Sequence, residues 1–224
     1  MTLRTDKQLG NTDPIASPST ATIAHAISAA MPYWYREWIE AVPEQIDTVE
    51  SRMRLVCDAA RTNFESGTGG PFGAAVFERS SGKLLSVGVN RAVEENMSSA
   101  HAEVMALSLA QRVRGAWDLG APGAAACQLV VNWRPCLMCM GAVIWSGVTE
   151  LVVAGDGPEL EELTGFDEGP VPAQWRRELQ RRGIDTTTDI CRDEAVALFR
   201  DFGSDGSLVY NARQGASTQT ALRT

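Results

Sequence analysis

The chain has 224 residues, of which 44% are hydrophobic and 21% charged, and its formal net charge is −8 at pH 7. These values are typical of one globular domain with extensions, and the acidic balance argues against non-specific nucleic-acid binding, which needs a basic surface. No apolar run is long enough to span a membrane, and we expect no secretory signal because the N-terminal residues are polar. The five cysteines are scattered and odd in number, which favours a reducing cytoplasm over a disulfide framework.

The chain begins with a segment poor in large apolar residues. Residues 1–30 are predicted to be a flexible extension, because residues 1–24 are rich in Thr, Ser, Asn and Pro. Four aromatic residues then fall within 31–40, which favours packing onto the domain over contact with a partner. Apolar residues recur at helical spacing from Val49 to Phe64 and predict an amphipathic helix over about 45–65.

The middle of the chain alternates between strand and helix patterns. Strands over 72–78 and 84–90, joined by a turn at 79–83, predict an antiparallel hairpin. The later elements are predicted helices over 100–113, 135–145, 173–182 and 193–202, and short strands over 128–132, 151–154 and 186–189. Strands that alternate with helices indicate a layered α/β sheet. One folded domain over 31–215 is expected, followed by a flexible tail over 216–224.

Two short motifs carry the metal chemistry. Cys136 and Cys139 lie three residues apart at the predicted start of a helix, where their side chains project to the same side. A helix N-terminus also favours the thiolate form. His101 begins the preceding predicted helix and can supply a third ligand. Three protein ligands leave one position of a tetrahedral zinc open, which is typical of catalytic rather than structural sites.

Glu103 lies two residues after His101 and is predicted to move protons rather than to bind metal. The combination H-x-E with P-C-x-x-C is typical of zinc-dependent nucleobase deaminases. Two alternatives remain for the cysteine motif alone: a thioredoxin-like redox pair, and a structural zinc with a fourth ligand. No further cysteine has a partner at ligand spacing, and His25 lies in the predicted extension. The combined motif therefore favours the catalytic interpretation.

The sequence resembles bacterial guanine deaminases of the cytidine deaminase-like superfamily over about residues 48–215. The matching segments are residues 70–78 (GPFGAAVFE), 90–91 (NR), 99–103 (SAHAE), 135–139 (PCLMC), 141–148 (GAVIWSGV), 165–169 (GFDEG) and 210–213 (YNAR). The two metal motifs identify the superfamily, and the last two segments point to the guanine deaminase branch. The resemblance implies a three-layer α/β/α sandwich around a five-stranded mixed sheet.

The same resemblance assigns roles to individual residues. It implies one zinc per chain on His101, Cys136 and Cys139, with Glu103 as the proton shuttle. Glu168 matches an acidic residue that reads the amino and imino edge of guanine and assists proton transfer. The other substrate-contacting positions of the family fall on Asn90, Phe72, Trp145 and Tyr210. The alternatives are an ordinary core position for Phe72 and Trp145 and a solvated loop carboxylate for Glu168.

The resemblance also implies an assembly. Its members are homodimers in which a C-terminal segment helps to close an active site. That segment corresponds to Tyr210–Arg213 in this sequence. It can close the site of its own chain or that of a partner.

The sequence departs from the family just before the cysteine motif. Asn132, Trp133 and Arg134 precede Pro135, where the family usually has a glutamate next to the proline. Trp133 can stack a flat ring, and Arg134 suits an anionic or carbonyl-rich substituent. Strand alternation predicts that at most one of the two faces the pocket, and a surface position for both is the alternative.

The most favoured function is hydrolysis of guanine to xanthine and ammonia in the cytoplasm. The unusual loop keeps related rings open, namely ammeline or another triazine, a pterin, a modified purine or a nucleoside. A tRNA or nucleotide deaminase is a second alternative, against which the acidic charge weighs. A non-catalytic zinc module for assembly is the third, and the intact Glu103 argues against it. The expected partners are a small nucleobase and a second copy of the chain, without membrane or nucleic acid.

Overall fold

The computed structural model describes residues 26–213. Its helices are α1 (Tyr35–Glu40), α2 (Val49–Glu65), α3 (Ala102–Arg114), α4 (Leu137–Ser146), α5 (Glu159–Thr164), α6 (Trp175–Gln180) and α7 (Arg192–Asp205). Its strands are β1 (Gly73–Glu78), β2 (Leu84–Val89), β3 (Cys127–Val131), β4 (Glu150–Val153) and β5 (Asp185–Thr187). Within the described range, no helix is both long and apolar enough to cross a membrane.

The five strands form one sheet in the order β2-β1-β3-β4-β5. Strand β1 pairs antiparallel with β2 and β3, whereas β3, β4 and β5 run parallel. Side chains alternate between the two faces of β1, so that Ala75 and Phe77 join one apolar cluster and Ala74 and Val76 join the other. The first cluster includes residues of α2 and α7, and the second includes residues of α3, α4 and α6. The predicted three-layer fold with a five-stranded mixed sheet is confirmed.

A close approach between α3 and β2 fixes where α3 begins. A Cβ atom at Gly88 would lie 2.4 Å from the carbonyl oxygen of Ala102 and 2.4 Å from the amide nitrogen of Ala106. Glycine is therefore needed for the helix to lie this near the sheet. The hydroxyl of Ser86 also donates to the carbonyl of Ala106 at 2.7 Å. The start of α3, and with it His101, is thus held against a buried strand.

Most predicted elements are present with small changes of boundary. The helix expected over 45–65 begins at Val49, because the hydroxyl of Thr48 accepts the backbone N–H of Ser51 and caps it. The six-residue helices α1 and α5 were not predicted individually. The aromatic segment packs onto the first apolar cluster, as expected, and the Tyr35 hydroxyl donates to the carbonyl of Val87. Most of the predicted N-terminal extension and all of the predicted tail lie outside the described residues.

Candidate active site

The helix starts of α3 and α4 face a cavity of about 610 Å³. Its other walls come from the loop Gly165–Gly169 and from the segment that follows α7. The cavity lining includes His101, Glu103, Cys136, Glu168, Phe72, Phe166, Trp133, Arg134, Tyr210 and Asn211. His101, Glu103, Cys136 and Glu168 therefore line one largely apolar cavity.

His101, Cys136 and Cys139 offer one nitrogen and two sulfur atoms that lie within 4.8 Å of one another. His101 and Cys136 are the N-caps of α3 and α4, and neither side chain caps its own helix, which leaves both free to meet. The nitrogen Nδ1 of His101 lies 3.5 Å from Sγ of Cys136, close to the spacing of about 3.5 Å expected between two ligands of a tetrahedral zinc. The hydrogen bond from the Cys139 thiol is the largest of the causes that lower the pKa of Cys136 to about 4. The donor set therefore fits zinc.

Two buried carboxyl groups border the metal cluster. Glu103 lies in the first turn of α3, and burial raises its pKa, with a further contribution from Cys136. Burial likewise raises the pKa of Glu168 to about 8, with contributions from Cys136 and Glu103. The backbone carbonyl of Glu168 accepts the N–H of Leu137 at 3.1 Å, which ties its loop to the start of α4. A pair of buried acids beside a metal-ligand cluster is suited to proton transfer.

An aromatic wall completes the cavity. The rings of Phe72 and Phe166 meet edge to face, with centroids 5.0 Å apart. Tyr210 packs against the same Phe166 ring, also with a centroid separation of 5.0 Å. All three residues line the cavity. A flat heteroaromatic ring can be held against such a surface.

The chain is similar to a family of known proteins. Residues 46–155 match the sequence model of the cytidine and deoxycytidylate deaminase zinc-binding region. Guanine deaminase of Bacillus subtilis is 30% identical over 135 residues, which are 60% of this chain and 81% of that protein. The structure of guanine deaminase from Nitrosomonas europaea is 43% identical with a TM-score of 0.76, covering 82% of this chain and 100% of that one. This chain belongs to the guanine deaminase branch of the zinc-dependent cytidine deaminase-like family.

A further related structure was solved with 2,6-diaminopurine bound. It is 45% identical to this deaminase, with a TM-score of 0.77, and the match covers 84% of this chain and 98% of the other. The resemblance inferred from the motifs is confirmed by these comparisons. The chain is accordingly a zinc-dependent aminohydrolase.

Asn90 lies in the deaminase behind the aromatic wall rather than on the cavity surface. Only 1% of the residue is exposed, and its side-chain oxygen accepts the N–H of Ala92. Its nitrogen Nδ2 is buried without a hydrogen-bond partner among the described residues. The amide of Asn90 neighbours the hydroxyl of Tyr210. Tyr210, which lines the cavity, thus lies next to the predicted base-binding amide.

Both residues of the unusual loop are among the cavity-lining residues. The alternation rule does not apply because β3 ends at Val131, before either residue. Trp133 is only 1% exposed, with the Arg192 guanidinium 5.1 Å from its ring centroid and Phe199 at right angles to it. Its ring is therefore largely packed in the core and forms a rigid part of the cavity wall. The Arg134 guanidinium has a buried Nε without a hydrogen-bond partner in the described range.

Trp145 does not reach the cavity of this chain. It is 79% exposed and is absent from the cavity lining, which corrects its predicted place in the pocket wall. It lies six residues after Cys139 on α4, and six steps of 100° turn it well away from that ligand. Leu137 and Met138 are also exposed on this helix. The outer surface of α4 is accordingly apolar.

Two residues near the site were missed in the sequence. Asn132 is fully buried, and its amide accepts the N–H of Gly73 and donates to the carbonyl of Pro71, which holds the segment carrying Phe72. Asn211 bonds to the loop that carries Glu168. The segments NWR and YNAR marked both regions, but their roles depend on contacts between distant parts of the chain.

Proposed function

We propose that this deaminase hydrolyses guanine to xanthine and ammonia. The observation that carries the proposal is the placement of two buried carboxyl groups, Glu103 and Glu168, beside a His-Cys-Cys donor set in one apolar cavity. The relatives from Bacillus subtilis and Nitrosomonas europaea are named guanine deaminases, and a related structure holds 2,6-diaminopurine. A purine with an amino group on its six-membered ring is therefore the best-supported substrate.

We propose that His101, Cys136 and Cys139 bind one zinc ion per chain. When bound there, zinc would supply the Lewis acidity that makes water a nucleophile at neutral pH. Glu103 takes a proton from the attacking water and delivers it to the ring nitrogen next to the amino-bearing carbon. The new bond joins the water oxygen to that carbon. The carbon–nitrogen bond then breaks, and the second proton of the water leaves with the amino nitrogen as ammonia.

Glu168 is proposed to recognise the substrate from the side of the loop. In its ionised form, which the raised pKa of about 8 makes dominant only above that pH, the carboxylate of Glu168 can accept hydrogen bonds from two adjacent N–H groups, such as those on the amino and imino nitrogens of guanine. Phe72, Phe166 and Tyr210 would hold the ring by contact with its faces and edges. Asn90, which lies next to Tyr210, is proposed to bind the base through its unpaired Nδ2.

The decisive experiment measures ammonia release from guanine, guanosine, ammeline, 2,6-diaminopurine, adenine, cytosine and cytidine. The proposal expects guanine to give the highest kcat/KM. If another compound gives a higher kcat/KM, that compound rather than guanine is the preferred substrate. Absence of ammonia from every compound by the zinc-loaded protein would favour a non-catalytic role.

The metal assignment has its own measurement. Cys139→Ala is expected to lower the zinc content of the purified protein from one ion per chain to a small fraction of that value, because one of three ligands is lost. Cys191→Ala is the matched control, since Cys191 lies outside the donor cluster. Equal zinc contents in the two variants would contradict the assignment.

We further propose a homodimer in which the outer surface of α4 meets a second copy. Leu137, Met138 and Trp145 form an exposed apolar surface there, and such surfaces are typical of interfaces. Leu137 and Met138 also line the cavity, so a second copy would lie beside the site. A cytoplasmic location is proposed as well, supported by five cysteines that form no disulfide.

A further inference from the structure

The residues after α7 return to the cavity. We call Leu208–Ala212 the C-terminal strap. Leu208, Tyr210, Asn211 and Ala212 of the strap all line the cavity. The strap has no regular secondary structure, so its position depends on side-chain contacts.

Asn211 makes the polar contacts between the strap and the loop Gly165–Gly169. Its side-chain oxygen accepts the backbone N–H of Asp167 at 3.0 Å, and its side-chain nitrogen donates to the carbonyl of Gly165 at 2.9 Å. One amide thus satisfies a backbone donor and a backbone acceptor on the two sides of Phe166. The neighbouring Tyr210 packs against the ring of that same Phe166.

The bonds of Asn211 end one residue before Glu168. On the far side, the carbonyl of Glu168 accepts the N–H of Leu137 at the start of α4. The backbone around Glu168 is therefore held from two directions, by Asn211 in the strap and by Leu137 next to a predicted metal ligand. No hydrogen bond to the Glu168 carboxylate is present among the described residues, so the bonds of Asn211 and Leu137 fix the backbone from which that side chain extends.

We propose that Asn211 is a positioning residue for Glu168. By bridging Gly165 and Asp167 it fixes the loop, and thereby aims the carboxylate into the cavity only when the strap lies in place. The inference rests on the proposed function in that Glu168 must contact the substrate. It assigns to the strap a specific task beyond covering the cavity.

The first test is the variant Asn211→Ala. Loss of both hydrogen bonds is expected to lower kcat/KM for guanine by about 10- to 100-fold and to leave the zinc content unchanged. The backbone N–H of Asp167 loses its acceptor, so its hydrogen exchange should become faster. Ser207→Ala is the matched control, because Ser207 bonds to Asp205 and does not contact the loop. Unchanged exchange at Asp167 would overturn the proposal.

The second test asks whether Asn211 acts through Glu168. Asn211→Ala is compared in the wild-type and Glu168→Gln backgrounds, with guanine turnover and with the binding of 8-azaguanine as parallel measurements. A positioning role predicts that Asn211→Ala causes little further loss of turnover or binding in the Glu168→Gln background. Full additivity in both measurements would overturn the proposal. If the wild-type protein deaminates no guanine, the proposed function fails, whereas the exchange at Asp167 and 8-azaguanine binding still decide the role of Asn211.

Discussion

The metal-ligand cluster and the opposite wall of the cavity differ in the backbone that carries them. His101 and Cys136 are N-caps of helices, and the start of α3 is held against the sheet at Gly88. The opposite wall consists of the loop Gly165–Gly169 and the C-terminal strap, which are joined through Asn211. Groups on regular elements are held more firmly than groups on loops. Substitutions in the cluster should therefore abolish the reaction, whereas substitutions in the wall should lower kcat/KM for guanine by a smaller factor.

The largest effect is expected at Glu103. Glu103→Ala removes the proposed proton shuttle and should lower kcat by at least about 10²–10⁴-fold, since a positioned acid–base group typically contributes that much. Zinc content should stay at the wild-type level because Glu103 is not a ligand. Steady-state kinetics and metal analysis of the same preparation test both statements. Glu37→Ala, at an exposed position of α1, is the control, and near-normal turnover in the zinc-loaded Glu103 variant would refute the role.

A smaller loss is expected at Glu168. In Glu168→Gln the side chain keeps one acceptor, so one of the two adjacent N–H groups of guanine loses its partner. An unpaired group in a closed site costs about 1–3 kcal/mol, which corresponds to a decrease in kcat/KM of about 5- to 150-fold. Glu162→Gln in α5 is the comparison, because that glutamate is exposed. If the kinetics equal those of the Glu162→Gln control, Glu168 does not contact the substrate.

Arg134 should change substrate preference more than rate. It is the only Lys or Arg among the cavity-lining residues of the described chain, and a guanidinium favours carbonyl groups. Arg134→Glu is expected to lower the ratio of kcat/KM for guanine to that for 2,6-diaminopurine, which carries an amino group in place of the carbonyl, by about 10-fold. Arg134→Lys retains the charge, so its ratio of the two kcat/KM values should lie between those of the wild-type protein and Arg134→Glu. If kcat/KM changes by the same factor for all substrates, Arg134 does not set specificity.

The smallest effect on catalysis is expected at Trp145. Trp145→Ser should leave kcat/KM per chain within about two-fold, as is typical for an exposed position, because the side chain does not line the cavity. The fraction of dimer in sedimentation experiments should fall at the same time. A large loss of activity with an unchanged dimer would return Trp145 to the substrate site.

The cluster was more accessible to sequence reasoning than the wall. The spacing of Cys136 and Cys139 defines one side of one helix, and the same arithmetic places Trp145 on another side, although the resemblance assigned it to the pocket. Helices α1 and α5 contain only six residues each and were not predicted, whereas α6, of the same length, lies within the helix predicted over 173–182. The contact between Asn211 and Asp167 joins residues 44 positions apart, and no local pattern specifies such a pair.

The three residues 132–134 in the link from β3 to α4 differ in how freely they can be substituted. Asn132 is bonded to Pro71 and Gly73, and Trp133 packs against Gly155 and Arg192, so changes at either position require compensating changes elsewhere. The backbone N–H of Arg134 donates to the carbonyl of Gly155, but its Nε atom has no partner in the described range. Any side chain except proline can keep that backbone bond. Among these three positions, a substitution at 134 should therefore depend least on compensating changes elsewhere. A library aimed at new ring substrates should begin there.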